Sequence, residues 1–123
     1  DLEVTANGDR LIQLILILLD NALKFTPAGG QIAIKAQTNE GQVELSVADT
    51  GVGIPTEDLP FIWERFYKVD KAHTRSSAGT GLGLAIAKEI IDLHKARVSV
   101  HSEPGNGSCF VVKFASVPKD RQN

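Results

Sequence analysis

Several things are scarce in this chain of 123 residues, and each scarcity excludes something. There is one cysteine, Cys109, so no disulfide can close within the chain, and a reducing compartment such as the cytoplasm suits it. There is no surplus of positive charge. Against 15 acidic residues stand 13 basic ones, a formal net charge of −2, which leaves nothing in bulk to grip a nucleic-acid backbone. Any anion must be held locally. Long apolar runs are missing too: the longest, Leu14 to Leu19, is far shorter than the roughly 18 residues of a membrane span, and no basic–apolar–small signal peptide opens the chain. Finally, His73, His94 and His101 are scattered and Cys109 has no companion, so no zinc-like cluster or thiol nucleophile motif is present.

What is present is enough apolar content, 42%, to build one core. The expectation is a single domain over residues 1–117 with a polar tail over 118–123. The start at Asp1 and the polar end read as the cut ends of a longer protein. Asp9 is placed to cap a helix over about Arg10 to Phe25, stopped by Thr26-Pro27 and Gly29-Gly30. That helix is nearly all apolar and so expected to be buried, with one polar stripe of Gln13, Asp20, Asn21 and Lys24 that Ile17 interrupts. Alternation of Ile32, Ile34 and Ala36, then of Val43, Leu45 and Val47, around Asn39-Glu40-Gly41 reads as a hairpin. A short helix over Glu57 to Phe66 follows, then a loop over Tyr67 to Thr80 with little apolar content, expected to be mobile. A second long helix from Leu82 to His94 would face inward through Leu82, Ile86, Ile90 and Leu93. Strands Arg97–Ser102 and Ser108–Ala115 form a last hairpin. The order implies an antiparallel or mixed sheet with helices on one face.

Three stretches carry chemistry. In Ala78-Gly79-Thr80-Gly81-Leu82-Gly83-Leu84 a Gly-rich loop feeds a helix N-terminus, where unpaired N–H groups and the positive end of the dipole favour a phosphate. By itself such a run serves equally well as a plain turn. It lacks the Lys-Ser/Thr of a P-loop and follows no strand, so neither the P-loop nor the Rossmann context is met. Asp49-Thr50-Gly51-Val52-Gly53-Ile54-Pro55 places a carboxylate at the end of a central strand. A carboxylate accepts hydrogen bonds and donates none, so it can take the exocyclic amine of adenine and repels the oxygen guanine presents there. An Asp-Gly turn with structural glycines explains this segment equally well. Gly107-Ser108 adds a hydroxyl. In the first helix, Asn21 offers an amide oxygen of the hard type Mg²⁺ accepts and Lys24 follows one turn later, although a solvated polar face accounts for the stripe as simply.

Taken together, in this order and at these spacings, the stretches resemble the catalytic and ATP-binding domain of bacterial sensor histidine kinases. That family lies within the wider Bergerat-fold group of gyrase, heat-shock chaperone and mismatch-repair ATPases. The resemblance runs from about Asp9 to Phe114. Leu18-Leu19-Asp20-Asn21-Ala22-Leu23-Lys24-Phe25-Thr26 is similar to the asparagine box and Asp49–Pro55 to the first glycine box. Trp63-Glu64-Arg65-Phe66-Tyr67-Lys68 resembles the phenylalanine box, Gly79–Gly83 the second glycine box and Gly105–Ser108 the last.

The resemblance implies a two-layer α/β sandwich of the α+β class, with a mixed sheet covered on one face by helices and ATP beneath a flexible lid. It implies that Asn21 ligands Mg²⁺, Lys24 contacts phosphate, Phe25 packs on adenine and Asp49 takes the adenine amine with help from Ser108. Gly51, Gly53 and Ile54 would shape the base pocket. Gly79, Thr80, Gly81, Leu82 and Gly83 would close over the phosphates, and Lys68 and Arg75 would neutralise the γ-phosphate as it transfers. The implied reaction moves the γ-phosphoryl of ATP to a histidine on a dimerisation and phosphoacceptor domain absent here, for relay to the receiver domain of a response regulator. The isolated domain is expected to be a monomer with no membrane contact, cut from a homodimeric parent that could carry its own membrane anchor. Two departures stand out. Ile17, where gyrase-like ATPases carry a glutamate that activates water, disfavours a hydrolytic ATPase, the first alternative; a degenerate nucleotide-binding module is the second. Lys95-Ala96 replaces a common Gly-Gly.

Overall fold

Amphipathic patterning sets the architecture, and the computed structural model describes residues 2–4, 8–39, 41–67 and 81–118 of it. In chain order the elements are β1 (Leu2–Val4), α1 (Gly8–Phe25), β2 (Ile32–Asn39), β3 (Gln42–Asp49), a 3₁₀ helix (Thr56–Phe61), α2 (Gly83–Leu93), β4 (Arg97–Glu103) and β5 (Gly107–Pro118). One five-stranded sheet results, in the order β1-β5-β3-β2 with β4 also on β5. Of the antiparallel and mixed sheets expected, the described pairings are all antiparallel. β5 is the spine: its first half lies between β3 and β4, and its far end, including Pro118 of the expected tail, pairs with β1.

Period-two alternation decides which sheet face is covered. Leu45 and Val47 of β3 and Phe110, Val112 and Phe114 of β5 turn to the helices and are buried. Leu14, Leu18 and Ala22 of α1 and Ala87, Ile90 and Ile91 of α2 complete the core. Trp63 adds its ring edge-on to Phe110, 5.8 Å between centroids. The opposite sheet face has no helix over it among the described residues. Cys109 sits there, half-buried and paired across the ladder with Ala48 and His101.

Several expectations are corrected, the exposed apolar residues by this one-sided cover. α1 is not buried all round: Ile12, Leu16 and Leu23 are 58%, 57% and 47% exposed. In a two-layer fold its outer side meets no further layer among the described residues. Ile34 and Ala36 are exposed because β2 is an edge strand that extends past the helices. In α2, Ile90 is buried and Ile86 packs on the core as expected, Ala85, Ala87 and Ile91 join them, and Leu93, at 71% exposure, points out. The helix expected through Phe66 is a 3₁₀ turn ending at Phe61. Pro60 inside it lacks an N–H and cannot extend an α-helical ladder. At the termini, Asp9 lies in the first turn of α1 rather than ahead of it, complementing the dipole instead of capping it. No helix among the described residues is long and apolar enough to cross a membrane.

Candidate nucleotide site

Four segments meet around the C-terminal half of α1, and backbone hydrogen bonds fasten them. Phe25 ends the helix, and its carbonyl oxygen accepts the N–H of Val52 at 3.0 Å. A Cβ on Gly51 would overlap that same carbonyl, so only glycine lets the 50–55 loop come so close. The N–H of Thr50 donates to the carbonyl of Gln31 at 3.0 Å, while the Thr50 hydroxyl accepts the Gln31 N–H at 2.8 Å. On its other side the loop is bound to the β4–β5 turn, the N–H of Gly105 donating to Val52 O at 2.7 Å.

Asp49 is at the centre of this arrangement. It is 7% exposed, and register places it opposite Ser108, itself 5% exposed. Ser108 Oγ donates to Asp49 Oδ2 at 2.8 Å, and the N–H of Gly51 donates to Oδ1 at 2.8 Å. Each oxygen is thereby aimed, and each retains a further lone pair for another donor. The field of this carboxylate reaches the other side of the sheet: burial, and then the Asp49 charge, push the Cys109 thiol up, with Lys35 opposing.

Asn21 and Lys24 lie on α1 one turn apart. Asn21 Nδ2 is buried without a hydrogen-bond partner, and so is the hydroxyl of Thr26, a residue only 4% exposed. Buried polar atoms are almost always satisfied. Two orphans within six residues at the end of α1 are what a polar ligand would complete. Lys24 Nζ meets Asp20 Oδ2 at 3.0 Å. One turn earlier, Ile17 faces the start of α2: a Cβ on Gly83 would stand 3.5 Å from Ile17 Cγ2. Leu82 is the N-cap of α2 and has no side-chain oxygen to satisfy the N–H groups of the first turn. Gly81 adopts φ 81°, with Phe66, itself at φ 66°, donating its N–H to Gly81 O at 2.9 Å.

Contacts join Phe25, Asp49, Gly51 and Ser108 directly; Asn21 and Lys24 precede Phe25 on the last turns of α1, Gly53 sits against the Glu103 carbonyl, and Gly83, which Gly81 and Leu82 precede in the chain, meets α1 at Ile17. Ile54 is 1% exposed and belongs to the core, its N–H held by Ser102 Oγ at 2.6 Å. Lys68, Arg75, Gly79, Thr80 and most of the expected lid lie outside the described residues. A recess of about 360 Å³ lined by Pro27, residues 50–53, Pro55, Pro104 and Gly105 shares Gly51 and Gly53 with the set. Its lining includes neither Asn21, Asp49 nor Ser108.

Sequence reading missed Ser102, whose hydroxyl accepts from Ile54 and donates to Gly107 O at 3.2 Å, so that one side chain ties two glycine loops together. Its inward phase alongside Val98 and Val100 was the available signal. Thr26 was read only as the helix stop. The donor set fits a nucleotide with its magnesium. A buried carboxylate with two spare lone pairs suits an amino base, and one side-chain amide suits an ion that takes most of its oxygens from phosphates and water.

The sequence profile described as histidine kinase-, DNA gyrase B-, and HSP90-like ATPase matches residues 6–118. Sensor histidine kinase YkoH of Bacillus subtilis (strain 168) is 46% identical over 112 residues, covering 91% of this chain and 24% of YkoH. Sensor protein SrrB of Staphylococcus aureus (strain MRSA252) is 46% identical over 110 residues, 89% of this chain and 19% of SrrB. The chain thus spans about a quarter or less of these relatives. Among solved structures, the mycobacterial sensor histidine kinase MprB superposes with a TM-score of 0.83 at 31% identity, over 95% of this chain and 79% of that one. Full-length ShkA in complex with AMPPNP superposes at 0.75 with 34% identity, over 88% of this chain and 22% of that one. Sequence and fold agree, and the chain belongs to the histidine kinase-, DNA gyrase B-, and HSP90-like ATPase family, as a catalytic, ATP-binding domain of the bacterial sensor histidine kinase type.

Proposed function

We propose that this domain binds ATP with Mg²⁺ and transfers the γ-phosphoryl to a histidine on another domain of its parent protein, for relay to an aspartate of a response regulator. The observation that carries the reading is the buried Asp49 carboxylate, oriented at both oxygens by Gly51 N–H and Ser108 O–H; the unsatisfied amide nitrogen of Asn21 on α1 agrees with it. Asp49 accepts from the exocyclic amine of adenine, Ser108 fixes its direction, and Phe25 offers apolar surface to the base. Asn21 would hold Mg²⁺ through its amide oxygen, where the ion would supply positive charge to the phosphates. Lys24 and the first-turn N–H groups of α2 take the phosphate charge. Lys68 and Arg75 are proposed to neutralise the γ-phosphate in transit.

In the transfer, the bond from the γ-phosphorus to the ADP oxygen breaks as a bond to the imidazole nitrogen forms. The protein is asked mainly for position and charge. Ile17 supports transfer over hydrolysis: an apolar side chain against Gly83 offers no base for water where gyrase-like enzymes need one. The parent is proposed to be a homodimer with this domain on its cytoplasmic side. To test the reading, the chain is mixed with the helical hairpin of its parent that carries the acceptor histidine, and with γ-labelled ATP. Acid-labile, alkali-stable label on that histidine is expected. Free phosphate without labelled histidine would favour an ATPase, and tight ATP binding with neither product would favour a non-catalytic module.

A further inference from the structure

The stripe of α1 that offers Asn21 and Lys24 also carries a group with no part in the nucleotide reading. Asp20 precedes Asn21, and its Oδ2 stands 3.0 Å from Lys24 Nζ, with the two side chains 63% and 35% exposed. An acid four residues N-terminal to a base is the favourable order for such a pair on a helix. Lys24 is also the basic residue of the last turn, where the carbonyl end of the dipole favours it. Two anions, the Asp20 carboxylate and an incoming phosphate, thus compete for one ammonium that the negative helix end also favours.

We infer that Asp20 is a positioning residue that holds Lys24 while the site is free of nucleotide and must yield it when a triphosphate binds, so that Asp20 sets the affinity for phosphate and not for the base. The inference rests on the reading of Lys24 as a phosphate contact. The neighbouring observation agrees with it. Asn21, between the pair, keeps a buried amide nitrogen without a partner, so a ligand approaching Asn21 arrives beside an ammonium already neutralised. The Lys24 side chain is flexible, with three donors on a four-carbon stem, and can swing between the two anions without moving the helix. A half-exposed pair of this kind restrains weakly, so the handover costs little and tunes affinity rather than blocking binding.

Calorimetry of ATP, ADP and adenosine on the wild-type chain, Asp20→Asn, Lys24→Ala and the double variant tests this. Asp20→Asn is expected to tighten ATP by about two- to fivefold, the range exposed ion pairs span. ADP should gain less and adenosine nothing. In the Lys24→Ala background the gain should fall by at least half, since only the long-range charge of Asp20 remains to be removed. Asp20→Glu, which keeps an acid at the same spacing, should bind ATP as the wild type does. An equal gain in both backgrounds, or a gain for adenosine, overturns the inference, because Asp20 would then act as a bulk charge or through the fold. If Lys24→Ala leaves ATP binding unchanged, the phosphate reading of Lys24 fails and takes this inference with it; if Lys24→Ala weakens ATP and Asp20→Asn does not strengthen it, only the inference fails.

Discussion

Replacing Asp49 by asparagine probes the base pocket with one atom. The carboxylate receives two donors at 2.8 Å, the Gly51 N–H and the Ser108 hydroxyl, in a position 7% exposed. An asparagine can satisfy both: its oxygen takes the Gly51 N–H, and its NH₂ donates to Ser108 Oγ once that hydroxyl rotates. Two charge-assisted bonds become neutral ones, each roughly half as strong, so the fold should lose about 1–2 kcal/mol and remain folded. The nucleotide fares worse. The spare lone pair that would meet the adenine amine is now on, or beside, an NH₂, and a hydrogen bond to a charged acceptor is worth about 1.5–3 kcal/mol, a loss of about ten- to a hundredfold in affinity. Calorimetry with ATP and with adenosine should show the same factor for both, since the loss is at the base. Circular dichroism on the same samples establishes that the variant is folded. Undiminished ATP affinity in a folded Asp49→Asn protein would refute the assignment of the carboxylate to adenine.

Further outcomes follow from the same geometry. Gly105 and Gly107 both have positive φ, 85° and 87°, but a Cβ on Gly105 meets nothing within 4 Å whereas one on Gly107 overlaps the carbonyl of Asp49. Gly105→Ala should cost about 1 kcal/mol and Gly107→Ala more than about 2 kcal/mol by urea unfolding; equal costs would refute the close approach. Leu18→Ala, at 0% exposure, should cost about 2–5 kcal/mol, and Leu16→Ala, at 57%, no more than about 1 kcal/mol, the difference being read in thermal unfolding midpoints. The Cys109 thiol, raised by burial and the Asp49 charge, stays protonated at neutral pH, so its alkylation should be slow at pH 7 and reach half its plateau rate above about 8.5, the free-thiol value. A midpoint at or below that value would contradict it.

The elements were legible where a short period was expressed by both neighbours. Alternation through Leu45 and Val47 predicts β3, and the span from Arg10 to Phe25 predicts α1 to within two residues of its start at Gly8. Exposure was not legible. Ile12 and Leu16 are as apolar as Leu14 and Leu18, and only the count of layers decides which of them meets solvent. The end of the 3₁₀ turn was missed although Pro60 marked it. At the site, residue types were readable from the sequence, but the pairing of Asp49 with Ser108, 59 positions apart, came only from the family resemblance, and its direct hydrogen bond follows from the register of β3 on β5. The inward phase of Ser102 was readable and its two partners were not, since they belong to different loops.

The glycine contacts bear on how this binding region can vary. Side chains on Gly51, Gly53 and Gly107 would collide with the carbonyls of Phe25, Glu103 and Asp49 respectively, so these strands of main chain rest directly on one another. A wall made of peptide groups offers a mutation nothing to enlarge or trim. Under the proposed function, drift in ligand preference, or resistance to a competitive inhibitor that leans on this wall, would arise in the few side chains around it, leaving the wall itself a fixed target.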